Sequence, residues 1–151
     1  MKQLEDILKT SKTLPLSRKT IINVFLSNTW FKEEMSSVLK PFDLSLEQFN
    51  VLRILRGQHG NPLNLQDIQD RMVNKMSNTT RLIDKLLLKG FVERNNCEKN
   101  RRKIEIFITD DGLKTLSVLD PLIDTIEEQM TSNLSHTELE QLNHLLTKLK
   151  D

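Results

Sequence analysis

Polar and basic side chains recur at steps of three and four residues in the middle of the chain: Asn78, Arg81, Lys85 and Lys89. On an α-helix this spacing places them along one side. The other side carries residues that can pack inward, which are Thr80, Ile83, Leu86 and Leu87. An asparagine amide matches the edge of adenine, and an arginine guanidinium matches guanine or a phosphate. A helix with this pattern has the chemistry needed to read a DNA major groove.

The N-terminal part of this helix, predicted to run from about Lys75 to Lys89, is rich in hydroxyl and amide groups. A reading helix enters the groove with its N-terminus, where free backbone amides favour phosphate. The candidate DNA contacts from this helix are Lys75, Ser77, Asn78, Thr79, Thr80, Arg81 and Lys85. Taken alone, the same pattern also fits an amphipathic surface helix with solvated charges. The hairpin predicted after this helix is needed to distinguish a DNA-reading helix from an ordinary surface helix.

A short hairpin is predicted directly after this helix. Phe91–Arg94 is β-like, and Ile104–Ile108 alternates with β-branched residues on one face. The segment between them, 95–103, is predicted to be a loop and has four basic residues in its last five positions. Arginine is favoured in a narrow minor groove, because the negative potential is concentrated there. The candidate DNA contacts from this loop are Asn100, Arg101, Arg102 and Lys103, with a solvated hairpin tip as the alternative.

Charge is distributed unevenly along the 151 residues, although the formal net charge is only +1. Residues 75–103 hold nine Lys or Arg and three Asp or Glu, a local net charge of +6. Residues 109–151 hold three Lys or Arg and nine Asp or Glu, a net charge of −6. The central part is therefore suited to a polyanion such as duplex DNA, and the C-terminal part is not.

The remaining reactive side chains form no catalytic constellation. The sequence shows no nucleophile beside a base, no glycine-rich phosphate loop and no metal-ligand cluster, so an enzyme is disfavoured and no cofactor is expected. Cys97 is the single cysteine, which excludes an internal disulfide. Its basic neighbours favour a reactive thiolate, so redox sensing is kept as an alternative to an ordinary surface thiol. His136, Glu140 and His144 can share a helix face, where solvated histidines are commoner than a metal site.

The chain gives no signal for a membrane or for export. Charges interrupt every hydrophobic stretch before it reaches the length that a bilayer requires. The first residues also lack the basic flank and apolar block of a signal peptide. A cytoplasmic protein is expected.

The elements around the candidate helix complete a recognisable order. Ser45 and Gln48 form a capping box for a helix that ends at Gly57, and a second short helix follows at about 65–72. Helix, short helix, helix and hairpin in this order are typical of a winged helix-turn-helix, here at about residues 42–110. The predicted fold class is mainly α with a small β-hairpin.

Long helices are predicted on both sides of this winged lobe. The helix from Ser17 to about Lys40 has two apolar stripes, one of Ile22, Leu26 and Trp30 and one of Val24, Phe31, Met35 and Val38. One stripe serves a helix's own core, so the second predicts another partner surface, such as a twin subunit. After the hairpin, Thr109 and Ser135 are placed to cap two further helices.

Several segments, taken in order, resemble the MarR-type family of bacterial regulators. They are Leu65–Ile68, Ser77–Leu86 and Lys89–Arg94, followed by Asn100–Arg102 and Ile106–Gly112. Each segment is weakly specific, and the ordered set is fairly specific. The flanking helices fit the family's dimerisation region in length and order.

The resemblance implies a homodimer in which the regions of about 1–41 and 111–151 interlock and two winged lobes read a palindromic operator. It also implies a repressor that is often released by a small phenolic or lipophilic ligand. Carried over by position, Ser77, Asn78, Thr79 and Arg81 face the major groove and Arg102 is the wing arginine. The family usually has Asp where this chain has Asn100, which can form hydrogen bonds but supplies no charge to hold that arginine. A winged-helix protein-interaction module without DNA binding is the alternative.

Overall fold

The computed structural model describes residues 4–97 and 100–151, with the side chains of residues 97 and 100–103 outside the description. Within these residues the elements are, in order, α1 (Leu4–Ile7), α2 (Leu16–Leu39), a 3-10 turn (Lys40–Phe42), α3 (Leu46–Arg56), α4 (Leu65–Arg71), α5 (Thr79–Leu88), β1 (Val92–Cys97), β2 (Asn100–Ile108), α6 (Asp110–Thr131) and α7 (His136–Lys148). The predicted fold class, mainly helical with a small hairpin, is confirmed.

Side-chain caps determine where several helices begin. Ser45 Oγ accepts a hydrogen bond from the Gln48 amide at 3.2 Å, and Gln48 Oε1 accepts from the Ser45 amide at 3.0 Å. Asn64 and Asp67 make the same reciprocal arrangement at α4, as Ser135 and Glu138 do at α7. Each cap satisfies backbone amides that a helix start leaves without partners, and it contributes about 1 kcal/mol. The capping box predicted at α3 and the cap predicted at Ser135 for α7 are confirmed.

One hydrophobic core joins the winged lobe to the long helices on either side. The fully buried side chains include Leu39 of α2, Leu52 and Leu55 of α3, Ile68 of α4, Ile83 and Leu86 of α5, Ile106 of β2, and Leu116 and Leu119 of α6. A bidentate ion pair adds to this packing, with Arg56 donating to Asp120 at 2.6 and 3.0 Å. The C-terminal end of α2 and the N-terminal half of α6 therefore brace the lobe directly.

The hairpin is longer than the sequence predicts. The antiparallel register pairs Val92 with Ile108 and continues outward through Asn96 with Ile104 to Cys97 with Asn100. Most of the predicted loop at 95–103 is therefore strand. Strand pairing is made by backbone groups, so it continues beyond the last apolar side chains of the hairpin. Leu63 adds a bridge on the other edge of β2, with N–O distances of 3.1 and 2.9 Å to Ile106. The sequence analysis missed this bridge.

Helix α5 begins four residues later than predicted, at Thr79 instead of Lys75, and it ends at Leu88. The start is fixed by Asn78, whose side-chain oxygen accepts a hydrogen bond from the Arg81 amide at 3.1 Å. Gly90 lies beyond the end with a φ of +71°, which is the left-handed conformation that terminates many helices. Residues 73–77 thus form a separate turn in front of the helix.

Apolar side chains remain exposed along the long helices. On α2 they are Leu16, Ile21, Val24, Phe25, Leu26, Trp30 and Phe31, on α6 Leu113, Val118 and Leu122, and on α7 Leu142, Leu145 and Leu146. Helix α7 contains no buried residue. Among the described residues, no helix is both long enough and apolar enough to cross a bilayer.

Candidate nucleic-acid interface

The turn between α4 and α5 is shaped by two asparagines. Asn50 Oδ1, on α3, accepts a hydrogen bond from the Val73 amide at 3.0 Å. Asn74 Oδ1 accepts from the Met76 amide at 3.1 Å, and the Ser77 amide donates to the Asn74 carbonyl at 3.2 Å. Buried Met72 anchors the start of the turn in the core. These bonds satisfy the backbone locally, which explains why the segment does not continue as helix.

Gln69 of α4 connects this turn to the start of α5. Its Nε2 donates to the Lys75 carbonyl at 2.6 Å, and its Oε1 accepts the hydroxyl hydrogen bond of Thr79. One amide therefore holds the short helix, the turn and the candidate reading helix together. The sequence analysis missed Gln69, because nothing in a linear pattern links it to a threonine ten residues later.

Two neighbouring threonines of α5 have opposite environments. Thr79 is only 6% exposed and bonded to Gln69, so the prediction that it faces the major groove is wrong. Thr80 is exposed, although its place in the helical pattern predicted an inward side chain. Adjacent residues of a helix point about 100° apart, and the bond to Gln69 holds Thr79, not Thr80, on the inward side with Ile83 and Leu86. Ser77 is half-buried, with its Oγ shielded from solvent and without a hydrogen-bond partner.

The exposed polar side chains at the start of α5 are Asn78, Thr80 and Arg81, with Lys75 in the turn before them and Lys85 in the last turn of the helix. The Asn78 oxygen already accepts from the Arg81 amide, so its NH₂ group remains as the donor available to a ligand. Lys75 Nζ bonds to the Asp70 carbonyl. Lys75, Asn78, Thr80 and Arg81 give the N-terminal end of α5 a positive, hydrogen-bonding surface.

Lys89, at the other end of α5, points to the protein instead. Its Nζ lies 2.5 Å from Asp43 Oδ2 and also bonds to the Asp43 carbonyl. This ion pair joins the end of α5 to the segment between α2 and α3. The hydrogen bond from Lys89 lowers the pKa of the Asp43 carboxyl, with a smaller contribution from the charge of Lys85.

Lys89→Gln is expected to raise the pKa of Asp43 towards its ordinary value. Because the folded pKa is the lower one, the ion pair stabilises the fold fully above the ordinary aspartate pKa of about 3.9. That stabilisation is lost as the pH falls through the folded pKa. An NMR titration of the Asp43 carboxyl carbon measures the change directly. Lys114→Gln, on α6, is the matched control and leaves the pKa unchanged; an equal rise in both variants contradicts the pairing.

The hairpin is tied to α5 at its base. Arg94 of β1 donates to Asp84 of α5 at 3.0 Å, between two half-exposed side chains. This bond fixes the first residues of the hairpin against the helix. The predicted wing contacts Asn100, Arg101, Arg102 and Lys103 lie outside the described side chains, as does Cys97, so those contacts and the redox hypothesis stay predictions.

Two concave regions flank this interface. A cavity of about 260 Å³ lies between α2, α3 and the turn after α4, and its lining includes Phe31, Met35, Phe49, Arg53 and Met72. An open groove of about 720 Å³ lies beside the end of α5. Among the described residues, no group of three His, Cys, Asp or Glu side chains is placed to hold a metal ion.

Comparison with known proteins agrees with this arrangement. A sequence model described as the MarR family matches residues 44–104. The crystal structure of a MarR transcription factor from Planctomyces limnophilus is 30% identical, with a TM-score of 0.69, and the match covers 90% of this chain and 98% of that one. The chain belongs to the MarR family.

Other relatives match parts or all of the chain. The uncharacterized HTH-type transcriptional regulator YfiV of Bacillus subtilis is 39% identical over 72 residues, which cover 48% of this chain and 44% of that protein. The chain thus matches less than half the length of this curated relative. A mutant of Escherichia coli MarR, solved in complex with operator DNA, shares the fold with a TM-score of 0.76 and 23% identity over 98% of this chain and 99% of that one.

Proposed function

We propose that this chain is a sequence-specific DNA-binding transcriptional regulator that acts as a dimeric repressor. The observation that carries the proposal is the exposed row of Asn78, Thr80, Arg81 and Lys85 on a helix whose start is locked by Gln69 and Asn78. A preorganised helix N-terminus with donors and cations suits a major groove, because base edges and phosphates both accept hydrogen bonds there.

The hairpin is proposed to act as the wing. Its base is held against α5 by the Arg94–Asp84 bond, so a duplex bound on α5 also passes beside the hairpin. Asn100, Arg101, Arg102 and Lys103 are the residues proposed to contact DNA from the tip. The E. coli relative of the same fold was solved with operator DNA, which supports a duplex as the partner.

The long helices are proposed to form the dimer. The exposed apolar side chains of α2, α6 and α7 leave a large hydrophobic surface uncovered in one protomer. An amphipathic helix such as α7, with no buried residue of its own, is stabilised when a second subunit covers it. We assign about 42–110 to the DNA-binding lobe and about 1–41 and 111–151 to dimerisation. Two lobes related by a two-fold axis then read a palindrome.

Release by a small ligand is proposed at the 260 Å³ cavity. Its lining combines apolar side chains with charged ones, among them Lys32, Arg53, Glu47 and Glu127, and this mixture suits a phenolic or lipophilic molecule with a polar group. The cavity touches both α2 and the turn that precedes α5, so an occupant can alter the angle between the dimer helices and the reading helix. The proposal includes a cytoplasmic location, where the DNA is, and no catalytic activity.

Genome-wide mapping of bound DNA tests the proposed function. A dimeric winged-helix regulator yields discrete sites with two half-sites whose centres are about one helical turn apart. A protein-interaction module without DNA binding yields no enriched sites, and that result refutes the proposal. The mapped operator then serves as the probe in the experiments below.

Lys85→Gln is expected to reduce the salt dependence of operator binding. If Lys85 neutralises one phosphate, the slope of log K against log salt becomes shallower by about 0.9 for each protomer, because fewer counterions are released. Fluorescence anisotropy across a series of salt concentrations measures the slope. Lys114→Gln removes the same charge from α6 and serves as the control, and equal slopes for Lys85→Gln and the wild type count against a phosphate contact at Lys85.

A further inference from the structure

An apolar side chain projects from the turn in front of α5. Met76 is 92% exposed, and its neighbours Lys75 and Ser77 are polar. Val73, in the same turn, is also exposed, but it lines the cavity between α2 and α3. Of these two exposed apolar side chains, Met76 is the one nearer in sequence to the start of α5, the end that the proposed function brings to DNA.

The backbone around Met76 is held by three hydrogen bonds. The Met76 amide donates to Asn74 Oδ1 at 3.1 Å, and the Ser77 amide donates to the Asn74 carbonyl at 3.2 Å. Gln69 Nε2 donates to the Lys75 carbonyl at 2.6 Å. Because the next residue but one, Asn78, caps α5, the methionine has a fixed position relative to the helix start. Its side chain can adapt, since methionine is unbranched.

The charges around Met76 indicate its partner. Lys75 and Arg81 are exposed close to it in the chain, and the one acid between residues 73 and 85, Asp84, is paired with Arg94. A partner that satisfies these cations is a polyanion, and it must also offer an apolar spot between its charges. In the major groove of DNA that spot is the C5-methyl group of thymine, which apolar side chains contact.

We infer that Met76 contacts the methyl group of a thymine in each operator half-site and that it is a specificity-determining residue. The inference rests on the proposed function and adds a base preference to it. The thymine lies beside the bases that Asn78 and Arg81 reach, because Met76 comes just before the first turn of α5.

Single replacement of each operator thymine by uracil tests the inference, because uracil differs from thymine only by this methyl group. At one position in each half-site, we expect the wild-type chain to bind about fourfold more weakly, the change expected from one buried methyl group. Met76→Ala is expected to bind the thymine and uracil duplexes equally. Met76→Leu, which keeps an apolar side chain, is expected to retain the preference.

Leu88→Ala is the matched control, since Leu88 is equally exposed but lies at the far end of α5. This variant keeps the methyl preference. If the wild type binds its operator with no uracil effect, or if Met76→Ala shows the same effect, the inference is overturned while the proposed function stands. If no operator can be found, both the inference about Met76 and the proposed function are overturned.

Discussion

Arg81→Ala is expected to weaken binding to the operator by about 10- to 100-fold. A well-placed arginine contact to a base edge is worth roughly 1–3 kcal/mol, and Arg81 is exposed in the first turn of α5. Binding to random DNA is expected to fall much less, because non-specific binding depends on phosphate charge alone. Fluorescence anisotropy at one salt concentration gives the dissociation constants for operator and random DNA, and the ratio of the two measures how much sequence preference the variant has lost.

Arg81→Ala is not expected to destabilise α5. The bond at position 81 that caps α5 comes from its backbone amide, which alanine retains, and alanine favours helix. Arg18→Ala is the control, because it removes the same charge from the first turn of α2. Arg18 lies roughly 30 Å along that helix from Leu39, where α2 packs against the winged lobe, so this variant is expected to bind operator and random DNA as the wild type does. Equal losses on operator and random DNA for Arg81→Ala are the result that would remove Arg81 from base reading.

Gly112→Ala is expected to lower the stability of the fold by about 3 kcal/mol. A Cβ at this position would lie 2.4 Å from the Phe91 carbonyl oxygen and 2.8 Å from Ile108 Cγ1. The carbonyl belongs to the backbone, which is held by the Thr109 amide at 3.1 Å, so it cannot move aside. Overpacking of this kind costs roughly 1–3 kcal/mol or more. Thermal unfolding followed by circular dichroism should show a Tm lower by roughly 6–12 °C.

Gly57→Ala is the matched control for this substitution. Gly57 caps α3 in a right-handed conformation, with a φ of −63°, and a Cβ there meets its nearest atoms at an ordinary 3.5 Å. Its Tm is expected to stay the same or rise slightly, because alanine reduces the freedom of the unfolded chain. An equal Tm for Gly112→Ala and the wild type would contradict the close contact of Gly112 with Phe91 and Ile108.

The fold could be predicted from the sequence where local chemistry determines the structure. Ser45 with Gln48 and Ser135 with Glu138 cap helices through groups three residues apart, so the pattern is complete in one short segment. The alternation at Ile104–Ile108 likewise indicated a strand without knowledge of its partner. The order of these elements was sufficient to indicate the winged helix-turn-helix.

Features that depend on distant partners could not be predicted in this way. Gln69, on another helix, bonds to the Lys75 carbonyl and to Thr79, and a linear pattern without these bonds extends α5 back to Lys75 and gives Thr79 an exposed side chain. The bridge between Leu63 and Ile106 joins segments more than forty residues apart. The spacing of Lys89 puts it in line with Asn78, Arg81 and Lys85, which predicts an exposed polar side chain. Its partner is Asp43, and no periodic pattern identifies that residue.

Hydrogen exchange of the purified protein, with and without its operator duplex, tests the central claim most directly. The first amides of a helix lack intrahelical partners and exchange readily, so contact with DNA protects them. We expect the operator to slow exchange at residues 75–82 and along the hairpin, and a scrambled duplex of equal length at the same salt to slow it less. Unchanged exchange at residues 75–82 with a saturating operator would contradict the account.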